Sequence, residues 1–336
     1  MPKSDAKKFL WNFFRFSWPL LVLFLALDYT VVCTPNSYTL KRGLLEHFRA
    51  SAEIVVLGSS HTMYGIDPAA FARPAVNLAN ASQSLEIDAE LFQRCADTFP
   101  RLKLAIVPFS YPSLAGRLSN TDELWRNFLY FRFLGIRGEQ RPMDLLNLRN
   151  WFPTLALGRD AIVRLLFERN RSGLRAPIGP LGWLAFPVRA GQKSPSDGPE
   201  RVRVHESAMR EESIAINLAV IKKMLEVADR KKIKIVFVTL PVASSYATAM
   251  NARLWSEFQS QLRSALHPYG AAYYDYLQEP RFVPSDFANS DHLNQQGAEK
   301  VSQILDTEVV EPVLRDSTGR LAERFEKRRR PSFPYW

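Results

Sequence analysis

The sequence predicts an α/β fold: a three-layer α/β/α sandwich around a parallel sheet of about five strands, carried on an N-terminal transmembrane helix. Three observations lead there. Short, wholly apolar runs feed directly into turns; stretches with apolar residues at helical spacing lie between those runs; and an apolar segment of membrane-spanning length opens the chain. With 336 residues, 46% of them hydrophobic and 23% charged, the chain can bury a full core and lacks the composition of a disordered protein.

The N-terminus sets the compartment. From Phe16 to Cys33 the chain reads FSWPLLVLFLALDYTVVC, and Phe9 to Phe14 extend the apolar stretch. Crossing ~30 Å of hydrocarbon takes about 20 mostly apolar residues, so a tilted span from about Leu10 to Val32 suffices, with Asp28, its single acid, near the outer interface. Leu20 to Leu27 is apolar on every face, unlike an amphipathic helix of a soluble core. Lys3, Lys7, Lys8 and Arg15 precede or open it, which favours a cytoplasmic N-terminus and a following domain on the periplasmic or outer side of the membrane. The competing reading, a cleaved signal peptide, lacks a clear small-x-small site after Leu25.

The net charge of +10 sits mostly at the two ends, with Arg324, Lys327, Arg328, Arg329 and Arg330 ahead of a final Pro-Ser-Phe-Pro-Tyr-Trp. No zinc-finger or RNA-binding aromatic motif accompanies it, which argues against nucleic acid as the partner. A basic tail ending in Tyr335 and Trp336 suits a lipid headgroup region or a solvated terminus. Cys33 and Cys95 have no Cys-x-x-Cys spacing and read as packing residues, so neither metal nor cofactor is expected.

The expected divisions are residues 1–36 for the basic N-terminus and signal anchor, 37–315 for the α/β domain, and 316–336 for the tail. Strands are predicted at Glu53–Leu57 and Leu102–Phe109, separated by a helix over Gln83–Phe99. A strand, helix, strand unit implies parallel pairing. The pattern recurs with a helix over Glu212–Arg230, a strand over Ile233–Leu240, a stripe of Leu254, Phe258, Leu262 and Leu266, a strand over Ala271–Tyr276 and a closing helix from about Gln295. Between about 119 and 209 the alternation breaks into a long insertion of the kind that shapes access to a site. Within it Gly191–Arg201 reads as an exposed loop, and Met143–Phe167 as an apolar, basic helix that packs on the domain in the favoured reading and lies on the membrane in the alternative.

Two segments carry chemistry. Gly58-Ser59-Ser60-His61 follows a strand directly, which would hold a hydroxyl at the carboxyl edge of the sheet, where sites of such folds lie. Thr62 stands where a Gly-x-Ser-x-Gly elbow needs its second glycine. Far along the chain, Ser285 to Asn294 (SDFANSDHLN) precedes the closing helix and supplies His292. The other histidines, His47, His61, His205 and His267, read as cap or surface residues, Asn294 as a helix cap and Gly297 as a packing position.

An early Gly-(Asp/Ser)-Ser with a late Asp-x-x-His-Leu-Asn-x-x-Gly resembles the SGNH/GDSL hydrolase superfamily. This chain matches at Gly58, Ser59, Ser60, His292, Leu293, Asn294 and Gly297. It looks closest to membrane-anchored Gly-Ser-Ser members such as the D-alanyl-lipoteichoic-acid protein family and exopolysaccharide acyl-modifying proteins, with Asn77 to Ser84 similar to their next block. The resemblance covers about Glu53–Ser113 and Lys232–Leu305. It implies a flavodoxin-like three-layer fold, Ser60 as nucleophile, His292 as general base, and esterase or acyl-transfer chemistry on a cell-envelope glycan. Two positions depart from the pattern. Asn289 stands where the triad acid belongs, leaving Asn289, Asp291 or Asp286 to complete the triad; Asp291, adjacent to the histidine, would normally point away from its ring. No Gly-x-Asn follows Phe109, so Ser110, Ser82 and the amides of Ser60 and Ala81 or Ser82 are the candidate oxyanion or substrate contacts. Asn289 also keeps open a second reading, a catalytically weakened scaffold partnering a membrane-bound O-acyltransferase; a third is a basic anchor holding an anionic polymer.

Overall fold

The computed structural model describes residues 3–157, 162–163, 179–186 and 195–315. Five strands, β1 (Ile54–Val56), β2 (Ala75–Asn77), β3 (Leu104–Pro108), β4 (Lys234–Thr239) and β5 (Ala272–Asp275), pair in parallel in the order β2-β1-β3-β4-β5. Because side chains alternate across a strand, each run feeds two cores. Val55, Ala105 and Phe237 face helices α4 (Leu85–Thr98), α7 (Glu211–Lys231) and α9 (Ala252–Leu266). Ile54, Ile106, Val236 and Val238 face the closing helix α10 (Gln295–Leu305) and the turns after it. Strands buried on both faces have no polar alternation, which is why they read as continuous apolar runs.

Outside the insertion, the predicted strands and helices fall within a few residues of the observed ones. Strand β2 is the exception: it lies between β1 and α4, so the predicted strand, helix, strand unit holds an extra edge strand of three residues behind Pro74, too short to register as a pattern. The α9 stripe is set by Trp255, Phe258, Leu262 and Leu266, with Leu254 only half-buried.

Helix α1 (Lys3–Cys33) contains a stretch, Lys7–Cys33, long and apolar enough to cross a membrane; a signal sequence would satisfy the same description. Its last turns dock on the domain. Val31 is fully buried in the core, Phe24 meets Phe152 with ring centroids 5.4 Å apart, and Asp28 Oδ1 accepts the Thr154 amide at 3.0 Å. The lone acid of the apolar run therefore caps a turn of the domain. Cys95 is buried as expected, whereas Cys33 is exposed where α1 ends.

The insertion is partly ordered into the domain. Helix α5 (Trp125–Leu134) packs on α2 (Ser37–His47), with Tyr130 edge-on to Tyr38 at 4.9 Å. The expected helix over Met143–Phe167 begins instead as two 3-10 turns, Pro142–Leu146 and Leu148–Asn150. Asn147 is extended between them, and Pro153 disfavours helical geometry at Phe152 before a short helix over 153–157; the remainder lies largely outside the described residues. The end of the expected loop Gly191–Arg201 is helical, since α6 (Gly198–Ser207) starts with Pro199 in its first turn. The tail, 316–336, is outside the described residues.

Candidate functional site

In a sheet of this order the strand sequence reverses between β1 and β3, and ligands bind outside the carboxyl ends at such a switch point. Ser60 lies there. Strand β1 ends two residues before Gly58, whose φ of +110° turns the chain sharply enough for Ser60 to open helix α3 (Ser60–Gly65). A Cβ on Gly58 would lie 2.0 Å from Pro108 Cγ, so glycine is required by conformation and by space. The Gly58 amide donates to buried Asp88 at 2.8 Å, which fixes the turn from below.

His292 arrives from the loop after β5. Asn294 caps α10 by accepting the Gly297 amide, and Gly297 packs where a Cβ would meet Asp286 O at 2.2 Å. These contacts set the loop so that His292 Nε2 lies 2.8 Å from Ser60 Oγ. On the other side of the ring, Nδ1 is 3.0 Å from Asn289 Oδ1 and 3.0 Å from Asp291 Oδ1. Two acceptors around Nδ1 assign the proton to that nitrogen, leaving the Nε2 lone pair to accept the Ser60 hydroxyl. Burial pushes the His292 pKa below its ordinary value although Asp291 pulls it upward, so the ring is neutral at pH 7.

The expectation for Asp291 is overturned: it points at the ring. The turn made by Asn289, whose Oδ1 also accepts the His292 amide at 2.8 Å, curls the chain so that neighbouring side chains converge. Asp291 is the hub of a wider network. Arg201 forks onto it, Nε to Oδ1 at 3.1 Å and Nη2 to Oδ2 at 2.7 Å, while His61 Nε2 and His205 Nε2 lie 3.4 and 3.5 Å from Oδ2. Burial alone would raise the carboxyl pKa, but hydrogen bonds from His292 and His61 more than offset it and hold the group well below the ordinary carboxylate range. Asp286 stays out of this network, pairing with Lys300 at 2.6 Å and capping its own turn through the Val283 amide.

His61 and His205 are therefore site residues rather than caps. The missed signal for His61 was its adjacency to Ser60; nothing in the local sequence of His205 or Arg201 separates them from other polar residues of the insertion. Helix α6 brings them in because Gly198 abuts the Ser245–Tyr246 backbone of α8 (Ser244–Ala249) and Asp197 accepts the Ser290 amide at 3.0 Å. His205 Nδ1 is 2.5 Å from the Tyr246 hydroxyl, and burial with the proximity of His61 lowers its pKa to about 3. His61, His205 and Asp291 present ligand atoms within 4.8 Å of one another. The guanidinium fork already neutralises the carboxylate, so the cluster fits a positioning network better than a cation site.

Ser60, Ser82 and Ser110 line one cleft of about 690 Å³, together with His61, Arg117, Glu123, Arg201 and His205. The Ser110 amide is occupied by Ser113 Oγ at 2.8 Å, and the Ala81 amide by Asn80 Oδ1 at 3.0 Å, which removes both as oxyanion donors. Ser82 has a left-handed backbone (φ 54°), and its hydroxyl donates to Glu123. Among the described residues its amide has no acceptor, and the Ser60 amide, first in its helix, has none within that helix.

Among solved structures similar to the chain is one from Streptococcus pneumonia described as a candidate platelet activating factor; it shares 11% identity at a TM-score of 0.37, covering 91% of this chain and 99% of that one. No protein-family model matches the sequence, and no curated protein does.

Proposed function

We propose that the chain is a serine esterase or acyltransferase of the SGNH type, held at a membrane by α1 and acting on acyl esters of a cell-envelope glycan. The observation that carries this reading is the Ser60 Oγ to His292 Nε2 hydrogen bond of 2.8 Å at the switch point of the sheet. His292 takes the Ser60 proton as the serine oxygen attacks the ester carbonyl. The oxyanion is met by the free amides of Ser60 and Ser82. His292 then returns the proton to the leaving alcohol, and the acyl group passes from Ser60 to water or a sugar hydroxyl. Asp291 stabilises the transient imidazolium, Asn289 orients the ring, and Arg201 positions Asp291. The scaffold reading drew on Asn289 at the usual acid position; a carboxylate oxygen equally close to Nδ1 favours the enzyme.

A fluorophosphonate probe applied to the detergent-solubilised protein tests this. Labelling at Ser60, lost in Ser60→Ala with the thermal transition unchanged, is the expected result. An unlabelled, folded wild type that carries no acyl group on Ser60 after incubation with activated esters would sink the proposal.

A further inference from the structure

We propose that the segment carrying Met143, Leu146, Leu148, Trp151 and Leu155 is a second membrane-contacting surface, seated in the headgroup and upper acyl region of the leaflet from which α1 emerges. It rests on the reading of α1 as a retained span. All five side chains are exposed, Met143 and Leu146 at 77% and 79%. Five exposed apolar side chains gathered in one short segment point to an interaction site rather than to scattered ordinary surface.

The fold fixes where this rim lies. The Phe24–Phe152 ring contact and the Asp28–Thr154 hydrogen bond join the segment to the outer end of α1, whose Leu20, Leu21, Leu23 and Leu25 are exposed as well. Length adds an independent constraint. Asp28 and Val31 are buried against the domain, so the free apolar part of the helix runs only from about Leu10 to Leu27. At 1.5 Å per residue that is about 27 Å, slightly less than the ~30 Å hydrocarbon thickness, and Arg15 draws the inner boundary further outward. The bilayer surface must therefore meet the protein at the level of Asp28, which is the level of Phe152 and its neighbours. The composition fits that depth: Trp151 is an interfacial aromatic, and the exposed Arg141 and Arg149 flank the leucines with charges that suit anionic headgroups.

The test places a nitroxide on the full chain in phosphatidylcholine/phosphatidylglycerol nanodiscs holding one copy each. Single cysteines at Leu146→Cys, Leu20→Cys and exposed Lys222→Cys, in a Cys33→Ser background with Cys95 buried, are compared for collision with oxygen and with a water-soluble nickel chelate. Leu146 is exposed, so its replacement leaves the thermal transition unchanged. The expected result is strong protection of the Leu146 label from nickel, approaching that of Leu20, with Lys222 freely accessible. A Leu146 label as accessible as Lys222, with Leu20 protected, overturns this inference alone. Accessibility at both Leu146 and Leu20 overturns the spanning reading beneath it. Protection at Leu146 that arises only when a second copy or another membrane protein is added assigns the surface to a protein and overturns the lipid assignment.

Discussion

Replacing Asp88 by asparagine should stabilise the protein, and the gain should depend on pH. Asp88 is buried, accepts the Gly58 amide at 2.8 Å and the Gln83 side-chain amide at 2.6 Å, and is pushed from 3.8 up to about 7, chiefly by burial. A folded-state pKa above the unfolded one means that the native protein prefers the protonated acid; the stability this preference lends is complete below about pH 4 and is lost as pH rises to about 7. At 1.36 kcal/mol per pH unit, the wild type at pH 8 carries a penalty of about 4 kcal/mol relative to its fully protonated form, of which only about 1.5 kcal/mol has accrued at pH 5. An asparagine Oδ1 can accept both amides and does not titrate. Urea denaturation in detergent at the two pH values should show the advantage of Asp88→Asn growing by about 2–3 kcal/mol from pH 5 to pH 8. A difference independent of pH, or one that shrinks as pH rises, would refute the reasoning.

Three other outcomes follow from the site. Asp291→Asn should lower kcat for ester cleavage about 10²–10⁴-fold, whereas Asn289→Asp should change it by less than about tenfold; the reverse ranking in a p-nitrophenyl ester assay would move the acid back to residue 289. Because burial lowers the His292 pKa, activity should persist below pH 6.5 and the acid limb of the kcat/KM profile should lie beneath that value, so a limb above 7 contradicts a neutral buried base. Gly58→Ala, forced into a positive φ and against Pro108, should cost several kcal/mol of stability and abolish probe labelling of Ser60, while Gly43→Ala, with open space around it, should do neither.

What was legible in the sequence was what local pattern encodes. β4 announces itself as an unbroken apolar run and α7 as a long stretch of helical spacing, and Gly58-Ser59-Ser60 stands out because a strand runs straight into it. The facing of Ser60 and His292 could be anticipated only because both follow strands of one sheet. The neighbours of Asp291 could not. Arg201 and His205 come from an insertion with no periodicity, and their approach depends on Gly198 fitting against Ser245 and on Asp197 reaching Ser290, contacts that no spacing rule encodes. The direction of Asp291 was misread for a similar reason: adjacent residues normally diverge, and the turn organised by Asn289 reverses that. Asn289, which stands where the resemblance expects an acid, is thus the residue whose turn brings the neighbouring carboxylate to the imidazole.

The bond from Thr154 to Asp28 changes what the leading helix is for. A flexible tether would let the cleft roam above the bilayer and sample acceptors over a range of distances. A helix whose last turns are buried in the domain, with Val31 in the core and an acid capping a turn, acts as a rigid post. On the proposed anchoring, the cleft is then held at one height and one tilt, and would reach only substrates presented at that height. Cutting the post away to obtain a soluble domain would uncap Thr154 and open the core at Val31, so solubility and integrity are in conflict in this chain.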